Sequence, residues 1–431
     1  MKARAVVSRL PLKRLLGFVL LPLLAAFAPL FVLPVIGRTL GAPGWAAIAT
    51  GQSIGAASSI LVAYGWPVVG PSIVAALDSG SRVRCFVDSL HMRLIIFFPV
   101  AAISVVLAAF LVDDEFRYAS GLMSLSLCMV GLSPSWYYVG IAKPSSIALY
   151  DAVPRIIASI VSVPALLWTR DAVVYPLILL VATALGILLS ALAVSGRQFL
   201  RRPRLYSLAV RAKQQWSIAL SGLVTSGYTG FSVALVAIAS GSVSTVASFA
   251  AAFRLEAMAK VGTGAVANGF QGWVGEVRNG RPARRMVAAL SVTTLCGLVG
   301  GGFLSLFLPS LVNLVFGHEI SISASVAVLA GIGFFLHSMT LSLSLHVLAP
   351  LDKIKTIATA TIVAALLGVP IILLLTPTMG AQGAMLGVTL AEAVVLALEL
   401  PVGIMAIRRT TLGQRPTREG LQAAPNEANS S

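Results

Sequence analysis

Charge is rationed along this chain. From Gln214 to Phe253 there is no Asp, Glu, Lys or Arg, and after Lys260 none until Glu276. Similar gaps run from Arg93 to Asp113 and from Arg117 to Lys143. An apolar run of about 20 residues is long enough for a helix to cross a bilayer. In hydrocarbon every backbone N–H and C=O must be satisfied within the segment, so a chain built of such runs folds as membrane-spanning helices.

Taking charges as fences, the sequence predicts an all-α, polytopic membrane protein of about twelve spans: 15–37, 45–68, 93–112, 118–142, 147–169, 172–195, 216–239, 246–270, 286–308, 322–348, 356–376 and 383–407. The overall composition agrees, with 58% hydrophobic and 11% charged residues, against about 25% charged in a soluble domain. The first run follows a basic start and carries Ala26 and Ala28 in a signal-peptide-like spacing. A proline follows directly and the apolar stretch continues to Ile36. It is therefore read as a retained first helix rather than a cleaved signal.

The net charge of +16 is not that of a nucleic-acid binder, because the cations sit in short clusters between apolar runs. With the N-terminus inside, nearly all loop cations fall on the cytoplasmic side, Arg93 and Lys143 among them. Only Arg38, Arg117 and Arg170 fall outside. This bias predicts an even span count with both termini cytoplasmic. The longest basic connection, "SGRQFLRRPRLYSLAVRAKQQ", lies near the middle. The domain plan is a six-helix lobe over 1–195, a basic linker over 196–215, a second six-helix lobe over 216–409, and a polar, disordered tail over 410–431.

No G-x-x-x-x-G-K-[ST] loop occurs, so that route to nucleotide hydrolysis is closed. His91, His318, His337 and His346 make no metal-ligand spacing, and Cys85, Cys128 and Cys296 suggest neither a metal site nor a disulfide framework. The short outer loops leave no room for an active site. A non-enzymatic protein without cofactor or metal is expected.

The charges inside the spans carry the functional argument, since a charge at mid-bilayer costs about 2.5–3.5 kcal/mol on insertion scales. Glu256 and Lys260 are four apart, on one helix face, in the favourable order. Arg254 points about 160° away from Glu256. Glu256 with Lys260 reads as a structural ion pair or as part of a site. Arg254 either pairs with an acid on another helix or forms an anion site in a cavity. Asp151 and Arg155 repeat the four-residue spacing. Glu392 and Glu399 are seven apart, nearly in register. Glu399 is expected near the inner end, in reach of solvent. Glu392 is deeper, and is read as protonated, paired across the bundle, or coupled to H+ or Na+. Prolines 22, 29 and 34 bend or break the first helix.

Residues 33–66, "LPVIGRTLGAPGWAAIATGQSIGAASSILVAYGW", resemble the first two helices of the polysaccharide-transport flippases. These are Wzx-type O-antigen and capsule exporters of the multidrug/oligosaccharidyl-lipid/polysaccharide (MOP) superfamily. The shared features are Pro34, Arg38, Leu40-Gly41, Gln52-Ser53 and Tyr64-Gly65. A looser echo, "VSTVASFAAAFRLEAMAKV", sets Arg254 opposite Gln52 at a shift of 202 positions.

The resemblance implies two six-helix lobes around a central cavity and alternating access. It also implies an undecaprenyl-pyrophosphate-linked oligosaccharide as cargo, moved from the inner to the outer leaflet of a bacterial inner membrane. Partners would be membrane lipids, a polysaccharide polymerase and glycosyltransferases. On this reading Arg38, Arg155, Arg254 and Lys260 are candidate cargo contacts, and Glu256, Asp151, Glu392 and Glu399 are candidates for ion coupling or buried pairing. Deep arginines suit a pyrophosphate. A multidrug exporter of the same superfamily is the alternative, for which an acidic, aromatic cavity would be expected. A major-facilitator transporter and a membrane-embedded polymerase or ligase lack their expected loops.

Overall fold

A computed structural model describes residues 31–200, 230–275 and 282–411, with isolated positions between 203 and 216. Most of the predicted first span, most of the basic linker, the first part of the seventh span and the tail beyond Thr411 lie outside the described residues. So does the stretch that resembles a signal peptide.

The described residues are helical and contain no strand. The helices are α1 (Leu33–Ala63), α2 (Trp66–Ala76), α3 (Ser79–Phe110), α4 (Arg117–Met129), α5 (Ser135–Gly140), α6 (Pro144–Thr169), α7 (Val174–Ser195), α8 (Gly230–Ser240), α9 (Val243–Gly275), α10 (Pro282–Phe316), α11 (Ala324–Leu348) and α12 (Ile354–Thr411). Two of these are double. Gly41 (φ 62°) folds α1 back on itself and Gly380 (φ 58°) does the same to α12. A left-handed backbone at a sharp reversal is the conformation glycine adopts without steric cost. With α2 continuing the second span, and α4 and α5 sharing the fourth, the described residues supply all or part of twelve spans. Seven of the helical stretches are long and apolar enough to cross a membrane by length and composition alone.

Most boundaries fall within a few residues of the fences. The third span does not: α3 begins at Ser79, and Asp78 caps it by accepting from the Ser81 N–H at 3.1 Å. Arg93 therefore lies inside the bundle, 1% exposed, and not in an inner loop. Charge marked the wrong boundary because a long inner turn of helix tolerates Arg82, Arg84 and Asp88 at its solvated end.

One turn recurs in the two halves. Before α6, Ala142 is left-handed, Lys143 N–H donates to Tyr138 C=O at 2.9 Å and Ser146 N–H to Lys143 C=O at 3.2 Å. Before α12, Asp352 is left-handed, Lys353 N–H donates to Leu348 C=O at 2.8 Å and Thr356 N–H to Lys353 C=O at 3.0 Å. The positions differ by 210 (353 less 143), so one turn is built twice. Each turn adjoins a single π turn, Ala148–Ala152 in α6 and Ser344–Leu348 in α11.

Among the described residues the lobes meet mainly through α1, which packs on α9 and α10. Trp45 Nε1–H donates to Ala247 C=O at 3.2 Å, and its ring lies 4.7 Å from that of Phe316. Ser53 Oγ donates to Gly230 C=O at 2.7 Å and accepts from Ala234 N–H at 3.2 Å. Gly37 lies flush on the Phe316 backbone, where a Cβ would come within 2.5 Å of the carbonyl oxygen. One apolar cluster, including Ile36, Trp45, Phe249, Leu308 and Phe316, spans the seam. The lobes are thus packed together at the end carrying Gly41 and Gly380, which the cation count predicts to be the outer one. Toward the other end, Gly262, Gly264 and Gly269 of α9 have free space beside them.

Candidate functional site

The spacing of Glu256 and Lys260 on α9 produces a contact of 2.9 Å between Lys260 Nζ and Glu256 Oε1. The lysine also reaches Glu392 Oε1 of α12 at 3.4 Å, and His337 Nδ1 of α11 lies 3.2 Å from the same oxygen. Gly333, one turn before His337, makes room for the Glu256 carboxylate, 3.4 Å from where a Cβ would sit. Three helices therefore converge on a cluster of two carboxylates, one ammonium and one imidazole. Its formal charge is −1 with His337 neutral and zero with it protonated. Glu256 and Glu392 are buried, while the side chains of Lys260 and His337 keep 15% and 31% of their exposure. The Glu256 contact is ionic only, since neither of its oxygens receives a well-directed hydrogen bond.

Arg254, two residues earlier, faces elsewhere. It is half-buried, its Nε is buried without a hydrogen-bond partner, and no acid pairs with it among the described residues. Tyr175 of α7, on the other lobe, is within electrostatic reach. At 1.5 Å per residue Arg254 lies about 17 Å from the outer end of α9 at Val243.

In the first lobe, Arg155 Nη2–H donates to Asp151 Oδ1 at 2.5 Å. The pair is joined to a broken helix. Between α4 and α5 the backbone passes through a 3-10 turn at Val130–Leu132 and an extended Ser133 before Pro134. Ser135 Oγ donates to Asp151 Oδ2 at 2.7 Å, and Ser133 Oγ lies 3.4 Å from the same oxygen. Behind the break Arg93 donates through Nη1 to Gly131 C=O (3.1 Å) and Ser133 C=O (2.9 Å), over the face of Trp136 at 5.9 Å. Arg155 is about 21 Å from the outer end of α6 at Thr169, a depth close to that of Arg254.

The remaining candidates lie apart. Arg38 is at the outer end, exposed, with Nη2–H donating to Leu314 C=O at 3.2 Å, and so joins the lobes across the seam. Glu399, expected to be solvated, is 1% exposed. Its two oxygens accept from Ser344 Oγ at 3.0 and 2.9 Å, at the π turn of α11. The helix continues one turn past the expected end, to Thr411, and Glu399 is buried because α11 packs over it at Ser344. His346 is a core histidine, bonded to Ser342 Oγ at 2.8 Å and Ala267 C=O at 2.9 Å. No group of three or more His, Cys, Asp or Glu residues suited to a metal ion occurs among the described residues.

Sequence reasoning missed His337, Ser133, Ser135 and Arg93. The first three depend on tertiary partners. Arg93 was legible, because Asp78 and Ser81 form a helix N-cap signal that places it inside a span.

No family model matches the sequence, and no curated protein matches it by sequence. Solved structures do match. The chain is similar to an inward-facing multidrug resistance MATE-family transporter of the MOP superfamily, with a TM-score of 0.64 and 15% identity over 91% of this chain and 96% of that one. It is similar to the lipid II flippase MurJ in an inward closed conformation, with a TM-score of 0.65 and 11% identity over 94% and 90%. It is also similar to a MOP-superfamily transporter from Pyrococcus furiosus, described for the reverse polarity of its binding pocket, with a TM-score of 0.51 and 17% identity over 91% and 98%. At these identities the likeness is one of fold: the chain is a multi-pass membrane protein with the two-lobe, twelve-helix fold of MOP-superfamily transporters.

Proposed function

We propose that this protein moves a pyrophosphate-linked lipid oligosaccharide from the inner to the outer leaflet of a bacterial inner membrane, with both termini in the cytoplasm. The observation that carries this reading is Arg254. A half-buried guanidinium deep in a spanning helix, with no acid to neutralise it among the described residues, holds an unspent capacity for an anion. Its planar fork suits phosphate oxygens. Arg155 stands at similar depth on the other lobe but is paired with Asp151, so it contributes less to holding the headgroup than Arg254 does. Lys260 is held between two carboxylates and contributes less. Arg38, at the sealed outer end, would meet cargo only after the lobes open there.

The cluster of Glu256, Lys260, Glu392 and His337 is the coupling element on this reading. It lacks one positive charge when His337 is neutral, so one proton or one Na+ completes it.

The test is surface glycan in cells lacking their own flippase and complemented with variants at matched membrane level. Charged hydrogen bonds to phosphate are worth about 1.5–3 kcal/mol, so Arg254→Ala should weaken apparent cargo affinity about ten- to a hundredfold. Arg254→Lys should restore part of it. Wild-type glycan from Arg254→Ala at limiting expression would refute the role.

A second reading, export of an organic cation, is favoured by the net acidic cluster around Glu392. Drug resistance conferred without any effect on glycan would select it.

A further inference from the structure

The break between α4 and α5 has a feature that a structural kink does not require. Its outward groups are polar, bonded to one another and partly open. Ser133, Ser135, Asp151 and Arg155 are all half-buried, and the side chains of Asp151 and Arg155 keep 19% and 30% of their exposure. Asp151 and Arg155 lie on the face of α6 that continues, toward Thr169, through Ala158 and Leu166 into the apolar cluster between the lobes, and the two serines meet that face. The opposite face, with Leu149, Ile157 and Ile160, is exposed and suits lipid. The polar groups thus open toward the interior and not toward the bilayer.

Their positions are fixed from behind. Arg93 is 1% exposed and holds the broken backbone through Gly131 and Ser133 carbonyls, while its Nη2 is buried without a partner. The π turn of α6 sets Asp151 opposite the two serines. Irregular backbone at membrane depth is tolerated where it lines a cavity. Two irregular segments facing one another, cross-linked by hydroxyls and backed by a buried cation, hold these polar groups in fixed positions.

We infer that Ser133, Ser135, Asp151 and Arg155 form a sugar subsite in the first lobe that reads the glycan of the cargo, with preference for an acidic sugar. Hydroxyls that donate and accept, beside a carboxylate and a guanidinium, match the alternating donors and acceptors of a polyol ring. With Arg93 behind it, the site carries a formal charge of +1, which selects a uronic acid over a neutral hexose. The inference rests on the flippase reading for the identity of the sugar's carrier, but not for the sugar itself.

The experiment uses the full chain in nanodiscs. Three probes are compared: undecaprenyl pyrophosphate, the same lipid bearing a glucuronate-containing disaccharide, and the same disaccharide with glucose in place of glucuronate. Wild type should bind the glucuronate lipid at least about tenfold more tightly than the bare pyrophosphate, with the glucose lipid between. Ser133→Ala with Ser135→Ala should cut that step below about threefold and leave the bare lipid unchanged. Arg254→Ala should weaken all three by one factor. Equal affinity for the three probes in wild type, or an undiminished step in the serine variant, would overturn the inference.

If undecaprenyl pyrophosphate itself does not bind, the flippase reading fails and a second measurement decides the subsite alone. Ser133→Cys, with the native cysteines replaced, is labelled with a maleimide. Protection by free glucuronate but not by glucose supports the subsite. Equal labelling rates, or a thiol that the reagent never reaches, reject it.

Discussion

Lys260 on α9 and Glu392 on α12, 132 positions apart, meet at 3.4 Å inside the bundle, with Glu256 on the other side of the same ammonium at 2.9 Å. A lysine shared by two buried carboxylates cannot be removed without stranding Glu256 and leaving Glu392 to His337. Breaking a buried pair by removing one partner costs about 3–5 kcal/mol. Lys260→Gln should therefore lower the melting temperature of the detergent-solubilised protein more than Glu256→Gln does. Glu256→Gln with Lys260→Gln should fall between them, because Glu392 then keeps His337 alone. Equal melting temperatures for wild type and Lys260→Gln would show that the lysine is not held by these acids.

Glu392 and His337 predict the coupling behaviour. Their 3.2 Å contact links a buried acid to a partly exposed imidazole. Glu392→Gln should transport without responding to collapse of the proton or sodium gradient, and His337→Gln should shift the pH dependence while retaining it. Cargo flux in proteoliposomes with imposed gradients makes the distinction. Unchanged gradient dependence in both variants would remove the cluster from coupling.

Arg93 should be structural and indispensable. Its guanidinium satisfies carbonyls freed by the break between α4 and α5. Leaving a buried acceptor unpaired costs about 1–3 kcal/mol, and Arg93→Ala would leave two. Loss of folded protein from the membrane is the expected result, read by fluorescence-detected size exclusion. Arg93→Lys should recover part of it, since one ammonium reaches fewer of these acceptors in the required geometry. Arg155→Ala should by contrast fold and fail in transport, which separates the two arginines of one network.

The outer seam predicts a trap. Arg38 contacts the Leu314 carbonyl across the lobes. Cysteines at 38 and 314 joined by a short bifunctional thiol reagent should lock the lobes together at the outer end and stop transport, with recovery on reduction of a cleavable linker. Transport that continues after complete cross-linking would mean that the lobes need not part there. At the neighbouring turn, Gly380→Ala forces a side chain into a left-handed backbone, at about 1–2 kcal/mol. A lower melting temperature without change in cargo affinity is expected.

Apolar run length and the sidedness of the cations determined the class, the count of twelve spans and the outline of two halves. These are local quantities: a segment spans because its own residues are apolar for about 20 positions. The Glu256–Lys260 and Asp151–Arg155 pairs were legible for the same reason, since four-residue spacing on a helix is contact.

What met those pairs was not legible. Glu392, His337 and Gly333 converge on α9 from helices that sequence spacing cannot relate, and Ser133 and Ser135 reach Asp151 only because α4 breaks before Pro134. Charge read as a fence puts Arg93 in a loop, whereas a buried guanidinium is stable where a broken helix offers it carbonyls. The burial of Glu399 is of the same kind. Whether a charge in a membrane protein is solvated, paired or left free is decided by what the neighbouring helices bring to it. The packing of α4 and α5 against α3 gives Arg93 carbonyls in place of an acid, whereas the packing of α9 against α11 and α12 leaves Arg254 a deep cation facing neither among the described residues.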